Sequence, residues 1–296
     1  MSSFKVWFDS VSRAANEGSR VIDTHVGPVQ FTDLGEGPIV LHSHGSPAGC
    51  DVGKMMFGDL LARGIRIITP SRPGFLETPL SVGTSLEAQA DMFAALLDAL
   101  GIEKIVLHAW SAGGPPGVVF AQRHSDRCRG YVHFCAVGHT WAHRITFFEQ
   151  ALLTDRAVYW ISKLATRWPE LARRKYAKEL GLDYDFVRED PARAATLDGF
   201  LKLVAPASLR NPGSFNDIRN YQTLDQLPYE ELSVPALVVH CARDRQLPKS
   251  HGDVAAARIP GAEYLELEYG GHMPQLGRQH ELVTTTLMRF IMDCWH

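Results

Sequence analysis

The stretch Ala109-Trp110-Ser111-Ala112-Gly113-Gly114 follows a short apolar run, Ile105 to His108, and precedes a helix-forming segment that opens with Pro115 and Pro116. A serine at such a strand-to-helix turn is held in a strained backbone conformation that lifts its hydroxyl off the edge of the sheet. The chain passes close to itself there, so the flanking residues must be small, and Ala109, Ala112 and Gly113 are. Paired prolines suit the first helical turn, where a missing N–H costs little. A plain tight turn or a glycine-rich phosphate loop would use similar residues, so partners for the serine decide. An unassisted hydroxyl is a poor nucleophile near neutral pH and needs a base, itself oriented by a third group. Val238 to Asp244 puts a carboxylate just past the end of one apolar run, and Tyr269-Gly270-Gly271-His272 puts an imidazole just past the next.

Rival groups are less well placed. Asp253 falls inside a predicted helix, Asp225 in an irregular stretch, and no carboxylate directly follows the run ending at Val137. His133 and His240 lie within strand-like runs and read as core histidines, whereas His251 and His280 read as helix or loop surface. Ser111, Asp244 and His272 are therefore the predicted nucleophile, orienting acid and base. Acyl transfer also needs donors aimed at the developing oxyanion. His44-Gly45-Ser46-Pro47 closes a further apolar run; Pro47 has no N–H, so the backbone N–H groups of Ser46 and Ala112 are the predicted pair. His44 reads as loop architecture that braces the turn. His42 and His44 form an HxH, but no companion cluster has ligand spacing, so no metal site is expected.

The elements that must position these groups alternate strand and helix. Residues 20–26 and 29–33 read as a hairpin turning at Gly27-Pro28, and 38–44 and 65–69 as strands flanking a helix over 52–63. Thr84-Ser85-Leu86-Glu87 has capping-box spacing ahead of a helix with Leu86, Ala90, Phe93, Leu97 and Leu100 on one face, stopped at Gly101. Strands over 104–108 and 130–137 bracket a helix over 115–124; strands over 235–240 and 263–268 bracket one near 250–258, before a final amphipathic helix. This rhythm predicts an α/β fold: a mostly parallel sheet with helices on both faces. It breaks over 139–231, where Trp141, Phe147, Phe148, Trp160 and Trp168 and several prolines suggest a helical insertion. The predicted division is a core of 1–138 and 232–296 and an inserted helical segment of 139–231.

Composition narrows the function. With 296 residues, 45% of them apolar, a chain of this size buries about 75% of its unfolded surface without needing staples. A net charge of -3, with 30 Lys and Arg scattered against 33 Asp and Glu, lacks the basic footprint of a nucleic-acid binder. The first thirty residues interleave charged and apolar side chains, and no apolar stretch reaches membrane-spanning length, so a cytoplasmic protein without membrane partners is expected. Five cysteines, odd in number and without a CxxC pair, suggest free thiols in a reducing compartment.

The order Ser, Asp, His along the chain, the HG-x-P loop at 44–47, Arg72-Pro73-Gly74-Phe75, the turn 109–113 and Gly271-His272 together resemble the α/β-hydrolase superfamily over about residues 20–138 and 232–294. Position 109 departs from the usual G-x-S-x-G by being alanine. The resemblance implies an α/β-hydrolase fold with a helical cap, a small-molecule substrate and no cofactor. Epoxide hydrolases and haloalkane dehalogenases of this fold carry aspartate at the turn, which Ser111 argues against, and proline iminopeptidases usually carry a tryptophan after the serine, whereas here Trp110 precedes it. A carboxylic ester or lactone hydrolase is the leading expectation. A C–C bond hydrolase or lyase on the same residues, or a ligand-binding receptor on the same scaffold, are the alternatives. Trp110 and Trp141 are the expected substrate-pocket residues; natural substrate and oligomeric state are not legible.

Overall fold

A computed structural model describes residues 2–141, 153–224 and 226–296; Phe147, Phe148 and Asp225 lie outside the described residues. Eight strands form one sheet: β1 (Arg20–Thr24), β2 (Gly27–Leu34), β3 (Ile39–Ser43), β4 (Arg66–Pro70), β5 (Ile105–Trp110), β6 (Cys128–Phe134), β7 (Ala236–Cys241) and β8 (Glu263–Leu267). Their spatial order is β1-β2-β4-β3-β5-β6-β7-β8. The hairpin β1–β2 and the β2–β4 pair are antiparallel, and every pair from β4 to β8 is parallel. The predicted α/β-hydrolase fold is therefore present, with both halves of the chain in one sheet.

Side-chain alternation builds the two faces. Along β5, Ile105, Leu107 and Ala109 enter one apolar core, while Val106 and Trp110 enter the other. Helices α4 (Leu86–Ala99), α5 (Gly114–Arg123) and α11 (Ser250–Arg258) close the first core through Phe93, Val118 and Ala255. On the second face lie α2 (Gly53–Met56), α3 (Gly58–Leu61) and α12 (His280–Trp295), through Met56, Leu60 and Leu287. Between β6 and β7 the chain runs through α6 (Asp155–Arg167), α7 (Pro169–Leu180), α8 (Tyr184–Arg188), α9 (Pro191–Lys202) and α10 (Asn211–Gln222).

Local chemistry explains where the elements differ from expectation. The continuous helix over 52–63 is instead two single turns, α2 and α3, because Phe57 leaves helical geometry (φ -123°, ψ 23°) between Gly53 and Gly58. Helix α4 is capped by Ser85, whose hydroxyl accepts the Ala88 N–H at 3.2 Å; Thr84 precedes the cap, and its carbonyl receives the amides of Asn216 and Asn220. An unanticipated helix, α1 (Ser3–Ala15), sets Trp7 and Val11 against Val158, Ala205 and Ala207. The fifth strand runs on to Trp110, and the sixth spans 128–134 where 130–137 was expected.

The sheet edge carries a tie with a measurable pH signature. Asp33 accepts two bonds from Arg66 of β4 and one from Arg20 of β1, each 2.9 Å. The Arg66 bonds, helped by Arg20, hold its carboxyl below the ordinary aspartate range despite partial burial. A carboxyl depressed in the folded state stabilises above its unfolded value, about pH 4, and loses that contribution as pH falls through the folded value. Asp33→Asn is expected to cost about 1 kcal/mol at pH 7 and much less at pH 3. Denaturant titrations at both pH values check this; an equal loss at both would discard the assignment.

Candidate active site

The parallel register brings the chemistry together. Ser43 of β3 lies opposite Ala109 of β5, Trp110 opposite Phe134 of β6, and Cys241 of β7 opposite Leu267 of β8, so the loops that follow share one edge. Ser111 opens a single 3-10 turn, Ser111–Gly113, with a left-handed φ of 54°. Its N–H donates to the Cys135 carbonyl (3.2 Å) and its carbonyl accepts the Val137 N–H (2.9 Å), pinning the strained residue to the loop after β6. A Cβ at Gly113 would run into the Ser43 carbonyl. Alanine at 109 fits because α5 carries glycine opposite it: a Cβ at Gly117 would stand 2.7 Å from that of Ala109. The departure from G-x-S-x-G is thus matched by a glycine eight residues on, early in α5.

Ser111 Oγ lies 2.9 Å from His272 Nε2, and His272 Nδ1 lies 2.8 Å from Asp244 Oδ2. The second carboxylate oxygen, Oδ1, accepts the N–H groups of Gln246 (2.8 Å) and Leu247 (2.9 Å). Burial works to raise the Asp244 pKa; the His272 imidazole, with the Leu247 N–H, outweighs it and holds the carboxyl below its ordinary value. An ionised Asp244 accepts the Nδ1–H of His272, which leaves the Nε2 lone pair facing the serine hydroxyl. The imidazole backbone is also fixed: the His272 N–H donates to the Leu180 carbonyl at 2.8 Å, at the end of α7.

Trp110 sits beneath that imidazole. It is only 6% exposed, its ring centroid is 5.5 Å from that of His272, and its Nε1–H donates to the His272 carbonyl at 3.3 Å. Phe200 of α9 packs edge-on against it at 5.8 Å. Trp110 therefore presents little surface to a ligand and holds the histidine loop instead, which differs from the pocket role expected of it. Trp110→Phe, which keeps the packing and removes the donor, is expected to lower kcat about fivefold with KM nearly unchanged, the effect of one neutral hydrogen bond. Steady-state kinetics with an activated ester tests this; a rise in KM at constant kcat would restore the pocket role. Trp141 lies farther out, part-buried against the first core, with its N–H on the Tyr221 carbonyl at 2.9 Å.

The loop after β3 lies against Ser111: a Cβ at Gly45 would be 2.7 Å from Ser111 Cβ and 3.2 Å from its Oγ. Gly45 thus packs against Ser111, with Ser46 next along that loop, and Ala112 lies in the first turn of a helix, where N–H groups lack intrahelical acceptors. The Ser46–Pro47 peptide is cis, and the Ser46 hydroxyl donates to that of Ser214 at 2.7 Å. His44 is buried; its Nδ1–H donates to the Gly45 carbonyl (2.8 Å) and its Nε2 accepts the Arg72 N–H (2.9 Å). Burial, reinforced by the Arg72 charge, pushes its pKa far down, so it stays neutral and braces the loop.

Arg72 organises more than its sequence position suggested. Its Nε–H donates to the His44 carbonyl (2.9 Å), and its two Nη groups grip Asp217 of α10 at 2.7 and 2.6 Å. Tyr221, one turn on, bonds both Asp217 (3.3 Å) and the Ala112 carbonyl. Arg210 similarly pairs with Asp51, its Nη2 at 2.6 Å, and its Nη1 reaches the Pro47 carbonyl at 3.2 Å. Among the other histidines, His133 is satisfied by the Tyr131 hydroxyl and the Ala136 carbonyl. His240 donates to the Leu247 carbonyl, and its Nε2 stands 3.7 Å from Asp244. His251, expected at the surface, is buried: its ring stacks on His139 at 3.8 Å and its Nδ1 accepts the Gly138 N–H. Asp253 is taken up by Lys249 and Tyr264, away from His272. Among the described residues, no group of three or more His, Cys, Asp or Glu is placed to hold a metal ion, and no helix is long and apolar enough to cross a membrane.

A serine in a strained turn, a carboxylate and an imidazole on the loops after β5, β7 and β8 meet at one edge of a mostly parallel sheet, an arrangement that defines a class, and comparison with known proteins agrees. The model of the alpha/beta hydrolase family matches residues 39–285, and the chain belongs to that family. An uncharacterized hydrolase of Bacillus subtilis, YcgS, is 26% identical over 273 residues, which cover 90% of this chain and 95% of that protein. An alpha/beta hydrolase fold protein from Nakamurella multipartita superposes with a TM-score of 0.84 at 29% identity, covering 94% of this chain and all (100%) of that one. The enol-lactonase from Burkholderia xenovorans has a TM-score of 0.71 at 18% identity, covering 92% of this chain and 100% of its own, a likeness of fold.

Proposed function

We propose that this protein is a serine hydrolase that cleaves a small carboxylic ester or lactone through an acyl-enzyme intermediate. The observation that carries the reading is the unbroken hydrogen-bond chain Ser111–His272–Asp244, with 2.9 and 2.8 Å links and the outer carboxylate oxygen already held by two backbone N–H groups. His272 Nε2 takes the hydroxyl proton as Ser111 Oγ attacks the carbonyl carbon; Asp244 supports the imidazolium that forms. The N–H groups of Ser46 and Ala112 receive the oxyanion, and the same imidazolium returns its proton to the departing alkoxide. Water, activated by His272, then attacks the acyl carbon, releasing the acid and restoring Ser111. No step calls on a cofactor.

Residues 139–231 serve in this reading as a cap over the core of 1–138 and 232–296. The hydrogen bonds from the His272 N–H to the Leu180 carbonyl and from the Tyr221 hydroxyl to the Ala112 carbonyl, and the Ser46–Ser214 contact, support it. The test joins covalent labelling to product analysis. A fluorophosphonate probe is expected to modify Ser111 alone, and turnover of p-nitrophenyl butyrate or a simple γ-lactone in heavy-oxygen water to place one label in the carboxylate product. Turnover without label in the carboxylate, or labelling of Ser111 with no turnover across an ester and lactone panel, would overturn the reading.

A further inference from the structure

Of eight large apolar side chains left exposed among the described residues, five fall within one short stretch: Trp160, Ile161, Leu164, Trp168 and Leu171, each 46–65% exposed. Apolar residues scattered singly over a surface need no explanation; five together, two of them tryptophan, do. Trp160, Leu164 and Ile161 fall within an arc of about 100° on α6, given 3.6 residues per turn. Trp168 follows at the junction with α7, and Leu171 in the first turn of α7. The opposite side of α6 is already packed. Val158 clusters with Trp7 and Val11 of α1 and with Ala205 and Ala207, and the Tyr159 ring meets those of Phe4 and Trp7 at 5.6 and 5.4 Å. A surface helix ordinarily buries one apolar side and turns polar residues outward. Helix α6 buries that side and presents a second apolar one to the exterior.

Charge identifies what covers it. Residues 155–178 hold seven Lys and Arg against Asp155 and Glu170, in a chain whose net charge is -3. Arg156, Lys163 and Arg167 pair with no carboxylate among the described residues, and helical phase puts all three on one flank of the apolar arc. The Lys163 ammonium rests over the Tyr159 ring at 5.6 Å and the Arg167 guanidinium over Trp168 at 5.9 Å. Indole and aliphatic side chains beside free cations suit a helix that lies in the plane of a membrane–water interface, its apolar side at the acyl boundary and its cations among the headgroups. A second copy of this chain fits less well: a standard protein interface takes about 20–30 residues a side, and self-pairing would bring the strip's own cations together.

We propose that α6 and the start of α7 dock this protein peripherally and reversibly on a lipid surface bearing anionic phospholipid headgroups. The expectation of no membrane partner rests on spanning length, which a helix lying flat does not need; among the described residues no helix is long and apolar enough to cross.

Flotation with vesicles of phosphatidylcholine, alone or with about a third phosphatidylglycerol, tests this on the Ser111→Ala variant, so that lipid turnover cannot interfere. Binding to the mixed vesicles is expected to exceed that to the neutral ones by about tenfold or more and to fall with added salt. Lys163→Gln with Arg167→Gln should weaken it about 30-fold, at about fivefold per cation near the surface. Trp160→Ser with Trp168→Ser should abolish it, with thermal melts confirming the fold. Should that variant fail to fold, Trp160→Phe with Trp168→Phe decides: binding is retained, while quenching of tryptophan emission by bromine-labelled acyl chains falls sharply. No binding to the mixed vesicles, equal binding to both kinds, binding kept by a folded Trp160→Ser, Trp168→Ser variant, or quenching unchanged in the Trp160→Phe, Trp168→Phe variant would overturn the proposal. So would a concentration-dependent dimer that the Trp160→Ser, Trp168→Ser variant disperses, since the strip would then be a contact between copies. None of these readouts depends on hydrolysis, so failure here is separable from failure of the proposed reaction.

Discussion

Ser111→Ala is expected to lower kcat/KM for an activated short-chain ester by about 10⁴- to 10⁶-fold, the range seen when members of such constellations are removed. The size follows from what the variant removes. Without Oγ there is no acyl-enzyme route, and the remaining oxyanion donors and binding contacts act only on direct attack by water. Stability should change little, because Ala keeps the Cβ packed against Gly45 and the left-handed turn is held by backbone bonds from Cys135 and Val137. His272→Ala should cost a comparable factor, and the double variant hardly more, because the two side chains act as one unit. Kinetics on all three, alongside thermal melts, give the check: additive losses, or near-normal turnover by folded Ser111→Ala, would show that the hydroxyl is not the nucleophile.

How much of this site the sequence discloses depends on how local each signal is. Ser111, Asp244 and His272 each fall just beyond an apolar run, and in a parallel sheet that alone sends them to one edge. The tight turn was legible from its small residues, and the compensation between Ala109 and Gly117 was present in the sequence eight residues apart. Spacing between adjacent elements also gave the strands. What escaped were contacts between distant segments. Nothing near Asp217 marks it as the partner of Arg72, 145 residues away. His251 sits in a helix whose pattern suggests exposure, yet its burial comes from His139 and Gly138 across the chain. Trp110 looked like pocket lining because it neighbours the nucleophile, but side chains alternate along a strand, so it enters the core beneath His272. The helix expected over 52–63 failed for a local reason, the two glycines that bracket Phe57.

The largest stability effect is expected at the least local of these contacts. Asp217→Ala leaves the Arg72 guanidinium, which is fully buried, without its counter-charge, and breaking a buried pair from one side typically costs about 3–5 kcal/mol. The same change should depress activity in the folded fraction. Arg72 holds the His44 carbonyl, His44 holds that of Gly45, and Gly45 lies against Ser111, so a displaced guanidinium shifts the loop after β3 relative to Ser111. Tyr221 loses its bond to Asp217 as well, loosening its hold on the Ala112 carbonyl. Replacing both charges, Arg72→Met with Asp217→Leu, should recover most of the stability, because apolar groups of similar volume need no partner in a dry site. It should not recover activity, since methionine cannot hold the His44 carbonyl. Denaturant unfolding and ester kinetics on the two single variants and the double variant separate the two consequences. If the double variant regained stability and turnover together, the ion pair would be a packing device with no part in setting the loop; if Asp217→Ala cost under about 1 kcal/mol, the value typical of exposed pairs, the pair would not be shielded from water as its burial indicates.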